Sequence, residues 1–464
     1  MSNNIYIYYE FFKREFLSNL LLSVVGAKKN LNIYIGTNNV FNILHKKKLI
    51  LPGIFHTKSL SHGLKKTNLH KKLVNDNFMI TSIDQEHGVI DKGNFNEIFI
   101  KPRVHSDDLN LCSAYFCWGS FDHKNLSKKF KNKKIFYLTG SPRVDLWKKN
   151  FDRIWKKNDR IKKEKYILFV SNFSFVNNYY SYKELIDRKK LENYYVRSPN
   201  LEKEDKKFYL YQKKTLKKFT GLLKKFSKKF PDKIIYVRPH PTERIDYWIK
   251  NLKNFDNIII KSDGDISVYI RNAEYIVQSG CTSAIESYIR NVPVINYVPV
   301  NSKNQIFGQF INQISQNVYN DQQFFNLIDK KNYRILNKKK HVVNKRMLFL
   351  DKNFSSYKII KTWQNLLKRN SYFAKNKANL NNKNYQIFTY LFFYDLYKKF
   401  MINLVLFFKG KLYLKKIINH KTEKINVSSI KYKIEQITKS LNIKNNLRVK
   451  KLGQDILHIS LEKK

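Results

Sequence analysis

Short runs of β-branched and aromatic residues recur through the first third of the chain, and stretches whose apolar positions return every three to four residues lie between them. "NIYIYY" (4–9) precedes a helical pattern over about 12–28, and "NLNIYIG" (30–36) precedes another over about 37–47. "FMITSI" (78–83), "AYFCWG" (114–119) and "KIFYLTG" (134–140) continue the strand series. Alternation of this kind predicts a parallel sheet with helices on both faces. A second series starts at "KYILFVSNF" (165–173) and runs through "KIIYVRP" (233–239), "NIIIKS" (257–262), "EYIVQSG" (274–280) and "VPVINYVP" (292–299). Within it a long helix over about 203–229 carries Phe208, Tyr211, Phe219, Leu222, Leu223 and Phe226 at helical spacing, a core-facing stripe.

The expected fold is therefore α/β, with two facing Rossmann-like doubly wound domains over 1–150 and 151–335. A helical return segment (336–370) and a Lys/Asn-rich helical extension (371–464) follow. In the extension, "YQIFTYLFFYDLYKKFMINLVLFF" (385–408) is interrupted at its middle by Asp395, Lys398 and Lys399. Those charges make it a poor transmembrane span and a better interfacial or docking helix. An interfacial helix lets the chain be cut after residue 370 with a folded core left behind. The alternative is that the same aromatics pack onto the second domain as a terminal helical hairpin.

Composition changes the picture in three places. A net charge of +53 over 464 residues suggests a polyanion partner. The excess is spread along the whole length beside abundant Asn, Ile, Tyr and Phe, which fits a solvated lysine coat first, attraction to an anionic membrane second and nucleic acid last. Three cysteines, Cys112, Cys117 and Cys281, are too few to staple an extracellular fold and lack zinc spacing, so the chain is expected in the cytoplasm, with a peripheral position at the inner membrane face as the variant. "FLSNLLLSVVGA" (16–27) behind Lys13 and Arg14 has the look of a secretory h-region, but the strand-like runs on both sides favour a helix of the first domain.

The polar residues that can carry chemistry cluster at strand ends, where open α/β sheets bind ligands. "SGCTSAIES" (279–287) reads as strand, turn and helix start: Gly280 allows close backbone approach, Ser279, Thr282 and Ser283 offer hydroxyls to a phosphate, and Glu286 offers a carboxylate to ribose. Ordinary helix capping explains the same residues. In "RPHPTE" (238–243), Pro239 and Pro241 stiffen a loop that presents His240, with Arg238 and Glu243 on either side; an anion clamp and a proton donor fit, as does a structural loop. "SIDQEHGVID" (82–91) sets Asp84 and Glu86 after a strand, where a carboxylate can act as general base or merely shape a turn. "DGD" (263–265) suits a metal-diphosphate site less well than an N-cap at Asp265, and no metal site is expected.

Taken in order, "YEFFKREFLSNLLLSVVG", "IDQEHG", "FCWG", "LTGSPRVDLW", "YILFVSNFS", "RPHPTE" and "SGCTSAIESYIRNVPVINYVP" resemble the bacterial surface carbohydrate biosynthesis proteins, relatives of capsule polysaccharide and teichoic-acid polymer enzymes with the GT-B fold. The resemblance covers most of residues 5–300. It implies a glycosyltransferase-like enzyme with an inter-domain cleft and no cofactor beyond a nucleotide-sugar donor as substrate. Arg238, His240, Glu243, Ser279, Gly280, Thr282, Ser283, Glu286 and Asn172 would take the donor side. Arg14, Glu15 and Glu86 would face a glycan or lipid-linked acceptor, with Glu86, His240 and Asp84 as catalytic candidates. His87, where a glycine is expected, and Cys281, inside the phosphate turn, depart from the pattern. Two other functions stay open: transfer of a CDP-glycerol-type phosphopolyol, and a non-catalytic basic protein that binds membrane or nucleic acid.

Overall fold

A computed structural model describes residues 3–10, 12–60, 64–85, 99–100, 103–131, 134–155, 164–191, 194–196, 200–300, 309–336, 340–348, 353–370, 380–417 and 425–462. Two sheets organise the chain, as the strand and helix alternation predicts. The first contains β1 (Asn4–Tyr9), β2 (Asn32–Thr37), β3 (Ile54–Thr57), β4 (Met79–Ile83), β5 (Cys112–Cys117) and β6 (Phe136–Leu138), all parallel, in the order β2-β1-β3-β4-β5-β6. The second contains β7 (Tyr166–Val170), β8 (Ile235–Arg238), β9 (Ile258–Ile260), β10 (Ala273–Gln278), β11 (Val294–Tyr297) and β12 (Gln316–Val318), also parallel, in the order β12-β11-β10-β7-β8-β9. Near-continuous Ile, Tyr, Phe and Val runs suit strands covered on both faces: every residue of β1 and β7 is buried.

Each sheet reverses its winding once, between β1 and β3 in the first and between β7 and β10 in the second. The crevices beyond the carboxyl ends of these strand pairs are the places where such sheets bind ligands. The residues that emerge there are Glu10 and Lys58 in the first sheet, Ser171, Asn172, Ser279 and Gly280 in the second.

Strand β3 has only four residues and holds a buried histidine. His56 bonds Thr81 Oγ1 through Nδ1 at 3.0 Å, and burial lowers its pKa to about 3, so it is neutral. The neighbouring Gly53 passes so close to β1 that a Cβ there would lie 2.3 Å from the Asn4 carbonyl oxygen.

The return to the first sheet is anchored by "PRVD". Asp145, fully buried, accepts from Ser355 Oγ and Ser356 N–H at 3.1 Å each and so caps the helix Ser355–Arg369 from a distance. Burial raises the Asp145 pKa, while Lys148 and the serine donors oppose the rise. Further on, Trp363 is buried against the first sheet and donates to Thr81 Oγ1 at 3.1 Å.

The extension contains the expected helices, Leu380–Ile417 and Val427–Ser440, and then two strands that the sequence pattern does not announce. β13 (Leu447–Gly453) and β14 (Ile456–Leu461) form a hairpin, and β14 pairs antiparallel with β2, so that the first sheet has eight strands in the order β13-β14-β2-β1-β3-β4-β5-β6. Helix Leu380–Ile417 packs Ile387 and Leu391 inward, with Leu391 against Gly453 of that hairpin, and Asp395 accepts from Gln454 N–H. The aromatic segment therefore docks on the first sheet, not on the second domain, and a cut after residue 370 would remove two strands of that sheet, against the expectation that a folded core is left behind. Among the described residues no helix is long and apolar enough to cross a membrane.

Candidate active site between two switch points

In the second sheet the expected ligand residues divide into braces and presented groups. Arg238 is buried, and its guanidinium donates to the carbonyls of Lys261, Asp263 and Gly264, fixing the loop after β9. Glu243 is buried too and collects five donors: Ser171 Oγ, Phe173 N–H, Asn177 Nδ2, Trp248 Nε1 and His240 N–H. Burial raises its pKa and these hydrogen bonds hold it down. Both residues were expected as ligand groups; the Glu243 carboxylate and three of the five N–H groups of Arg238 hold the loop. Between them stands His240, partly exposed. Its Nδ1 lies 3.3 Å from Thr242 N–H and 2.8 Å from Thr242 Oγ1. A main-chain N–H can only donate, so Nδ1 accepts and the neutral ring carries its proton on Nε2.

The turn after β10 is knotted by side chains. Gly280 adopts φ +67°, which favours glycine there. Its N–H is taken by Asn296 Oδ1 at 3.1 Å and that of Cys281 by Gln278 Oε1 at 2.6 Å, so both N–H groups of the turn are already bonded. Asn172 Nδ2 reaches the Gly280 carbonyl at 3.5 Å across the switch point. Ser279 and Thr282 stay partly exposed in this turn, while Ser283 is buried at the start of the helix Ser283–Ile289. Asp265 caps the helix Ile266–Ile270 through Ser267 N–H at 2.8 Å, as its position predicts.

Glu286 is buried and bonds Arg290 Nε at 3.1 Å; Arg290 in turn reaches Asp152 Oδ1 at 2.8 Å and the Leu146 carbonyl of the first half at 3.4 Å. Burial raises the Glu286 pKa, and the Arg290 and Arg143 charges act against that rise. Its carboxylate is thus part of a chain of charges that ties the two halves together.

On the first sheet, Glu15 is fully buried and accepts from Glu10 N–H and Arg14 Nη2 at 2.7 Å each, which fixes the turn between β1 and the helix Phe12–Ala27. Asp84 is gripped by Arg103 at 2.7 and 3.1 Å, a two-pronged pair that engages both carboxylate oxygens. Trp118 Nε1 braces the same residue through its carbonyl at 2.9 Å. Glu86 and His87 lie outside the described residues.

No protein-family model matches the sequence, and no curated protein is similar to it. Solved structures of similar chain path exist. The UDP-GlcNAc 2-epimerase of Methanocaldococcus jannaschii, in complex with UDP-GlcNAc and UDP, is 15% identical, with 78% of this chain and 99% of that one covered at a TM-score of 0.46. The UDP-GlcNAc 2-epimerase of Neisseria meningitidis is 10% identical, covering 79% and 100% at 0.46. The wall teichoic acid polymerase TagF is 11% identical, covering 78% and 88% at 0.48. At such identities and scores the likeness carries no argument about chemistry.

Arg143, a residue the sequence reasoning passed over inside "LTGSPRVDLW", occupies the gap between the halves. Ser141 caps the short helix Pro142–Asp145 at the end of β6, and Pro142 at its first turn fixes the backbone. Arg143 donates to the Gln85 carbonyl at 3.1 Å, the only acceptor its guanidinium meets among the described residues, and lies over the Trp147 ring. Burial and the nearby Arg14 lower its pKa; Glu286, Asp265 and Glu15 oppose them. A guanidinium with most of its N–H groups unspent, within electrostatic reach of residues from both halves, is suited to a ligand oxyanion.

Proposed function

We propose that this chain is a glycosyltransferase that moves a sugar from a nucleotide-activated donor to a glycan or lipid-linked acceptor during assembly of a bacterial surface polysaccharide, capsule or lipopolysaccharide. The observation that carries this reading is Arg143, presented by the first half toward the Glu286 and Asp265 end of the second, between the switch points of two doubly wound sheets. The motif order described above supports the surface-polysaccharide setting. In the proposed reaction the acceptor hydroxyl oxygen bonds to the anomeric carbon as the bond from that carbon to the donor phosphate oxygen breaks. The nucleoside diphosphate leaves with the electron pair, and the hydroxyl proton passes to a carboxylate, for which Glu86 is our candidate. Arg143 and the Nε2–H of His240 would stabilise the charge that develops on the leaving phosphate.

Protein cations placed for that task make a divalent ion dispensable in this scheme. Transfer is expected to persist in EDTA, and one of UDP-, GDP-, CMP- or CDP-linked donors is expected to raise the melting temperature, since a ligand of the folded state alone stabilises it by about 2.7 kcal/mol at a hundred times its Kd. Activity lost in EDTA and restored by manganese would sink the metal-free scheme. Phosphorus incorporated into the polymer would instead identify phosphopolyol transfer.

We further infer that helix Leu380–Ile417 rests on an anionic membrane surface. Its inner stripe is buried, yet Tyr385, Phe388, Phe392, Phe393, Tyr397 and Phe400 are 48–72% exposed beside Lys398 and Lys399. Aromatic bulk next to lysines, on a chain of net charge +53, suits shallow insertion among acidic headgroups. Replacing Phe392, Phe393 and Phe400 by Ser is expected to abolish co-sedimentation with phosphatidylserine vesicles. Unchanged binding by that variant, or equal binding to neutral vesicles, would refute it.

A further inference from the structure

At the switch point of the first sheet, three cations, Lys58, Lys66 and Arg103, lie close together. Lys58 emerges from β3 and pairs with Glu10, which emerges from β1; Glu15 stands 3.6 Å from the same ammonium. Arg103 is committed to Asp84 beyond β4. Lys66, in the first turn of the helix Leu64–Asn75, has no such partner: it donates to Ser59 Oγ at 3.0 Å, the only hydrogen-bond acceptor it reaches among the described residues, and lies 5.7 Å from the centre of the Tyr8 ring. Its nearest charges are Lys58 and Arg103, which repel it, and Glu10 and Asp84, which each already hold another cation.

A half-buried ammonium left beside two other cations is an unfavourable arrangement for the empty protein and a favourable one for a bound oxyanion. The position is also the crevice where an open parallel sheet places its ligand. We propose that Lys66, together with Lys58, Ser59 and Arg103, binds an acidic group on the acceptor, a carboxylate or phosphate of the growing chain, so that the enzyme extends an anionic glycan. The name acceptor rests on the transferase reading; the oxyanion site itself does not.

Burial, followed by the Lys58 charge, lowers the Lys66 pKa to about 8, with Arg103 adding to the fall and Glu10 and Asp84 opposing it. Only the protonated ammonium attracts an anion. Affinity for an acidic ligand should therefore be near full at pH 7 and fall as pH rises through 8.

Isothermal titration of the full chain tests this without turnover. Glucuronate, whose charge is constant from pH 7 to 9, probes the carboxylate arm, inorganic phosphate the phosphate arm, and UDP reports the donor side. The expected result is that at least one acid binds, that Lys66→Met weakens it tenfold or more, that Lys66→Arg retains it, and that UDP affinity stays within twofold. The wild-type chain alone should lose about tenfold in glucuronate affinity between pH 7 and 9, the ratio of protonated Lys66 for a pKa near 8. If phosphate binds and glucuronate does not, the acidic group is a phosphate, and the loss of phosphate affinity in Lys66→Met decides whether the site is real. The proposal is overturned if neither acid binds, if Lys66→Met binds as the wild type does, or if UDP loses the same factor. A chain that binds these acids but no nucleotide would instead overturn the transferase reading and leave the oxyanion site standing.

Discussion

Deleting residues 425–462 is expected to leave a chain that does not fold. The segment is a Lys/Asn-rich terminus, yet it contributes eight buried apolar side chains: Ile425, Ile430, Ile434, Ile437, Leu452, Ile456, Leu457 and Ile459. At about 1.5–3 kcal/mol for each fully buried side chain, their removal forfeits about 12–24 kcal/mol, as much as or more than the roughly 5–15 kcal/mol by which a typical domain is stable. It also bares β2, whose residues Ile33 to Gly36 pair with Ile459 to Ile456, and so exposes a long hydrophobic sheet edge. Helix Val427–Ser440 packs against helix Phe12–Ala27, so part of that helix loses its cover too. Circular dichroism melting and analytical centrifugation of the truncated chain check the outcome. A cooperative transition near that of the full chain would show that the hairpin is an accessory.

Arg143→Ala is expected to lower kcat by about a hundredfold to a thousandfold, the usual cost of removing one preorganised donor from a developing oxyanion. Stability should change little, because the guanidinium makes one hydrogen bond within the described protein. Arg143→Lys should restore only part of the rate, since a lysine keeps the charge but not the planar fork. Single-turnover rates with matched melting curves separate the outcomes. A variant whose melting temperature falls while its rate per folded molecule holds would make Arg143 a brace between the halves, like its neighbour Arg290.

The two parallel sheets were legible because most of their strands are compact apolar runs with a helical pattern behind them. What escaped was either short or disguised. "IFHT" offers four residues with a histidine among them, and only its burial between β1 and β4 makes it a strand. "LRVKKLG" carries Arg448, Lys450 and Lys451, as an outer strand of a sheet can, and in so basic a chain that reads as more surface. At the candidate site, sequence reasoning named loops that stand at the switch points but could not tell a presented side chain from a brace. Arg238 and Glu243 flank His240 with equal chemical promise, and only the carbonyls around one and the donors around the other reveal that they hold the loop. Lys58 and Lys66 were hidden for a different reason: among 89 Lys and Arg residues, nothing local marks one that is desolvated.

The pairing of β14 with β2 joins residues more than 400 positions apart, and it sets an order of events during synthesis. Every strand of the six-stranded sheet has been made once residue 318 leaves the ribosome, so that half can close on itself while the chain is still growing. The edge of the first sheet cannot. It waits for residues 456–461, and through that interval β2 presents an open row of N–H and C=O groups to whatever is near. β2 is thus completed from far downstream, and the dense coat of lysines spread along the intervening chain adds mutual repulsion between nascent copies while they wait.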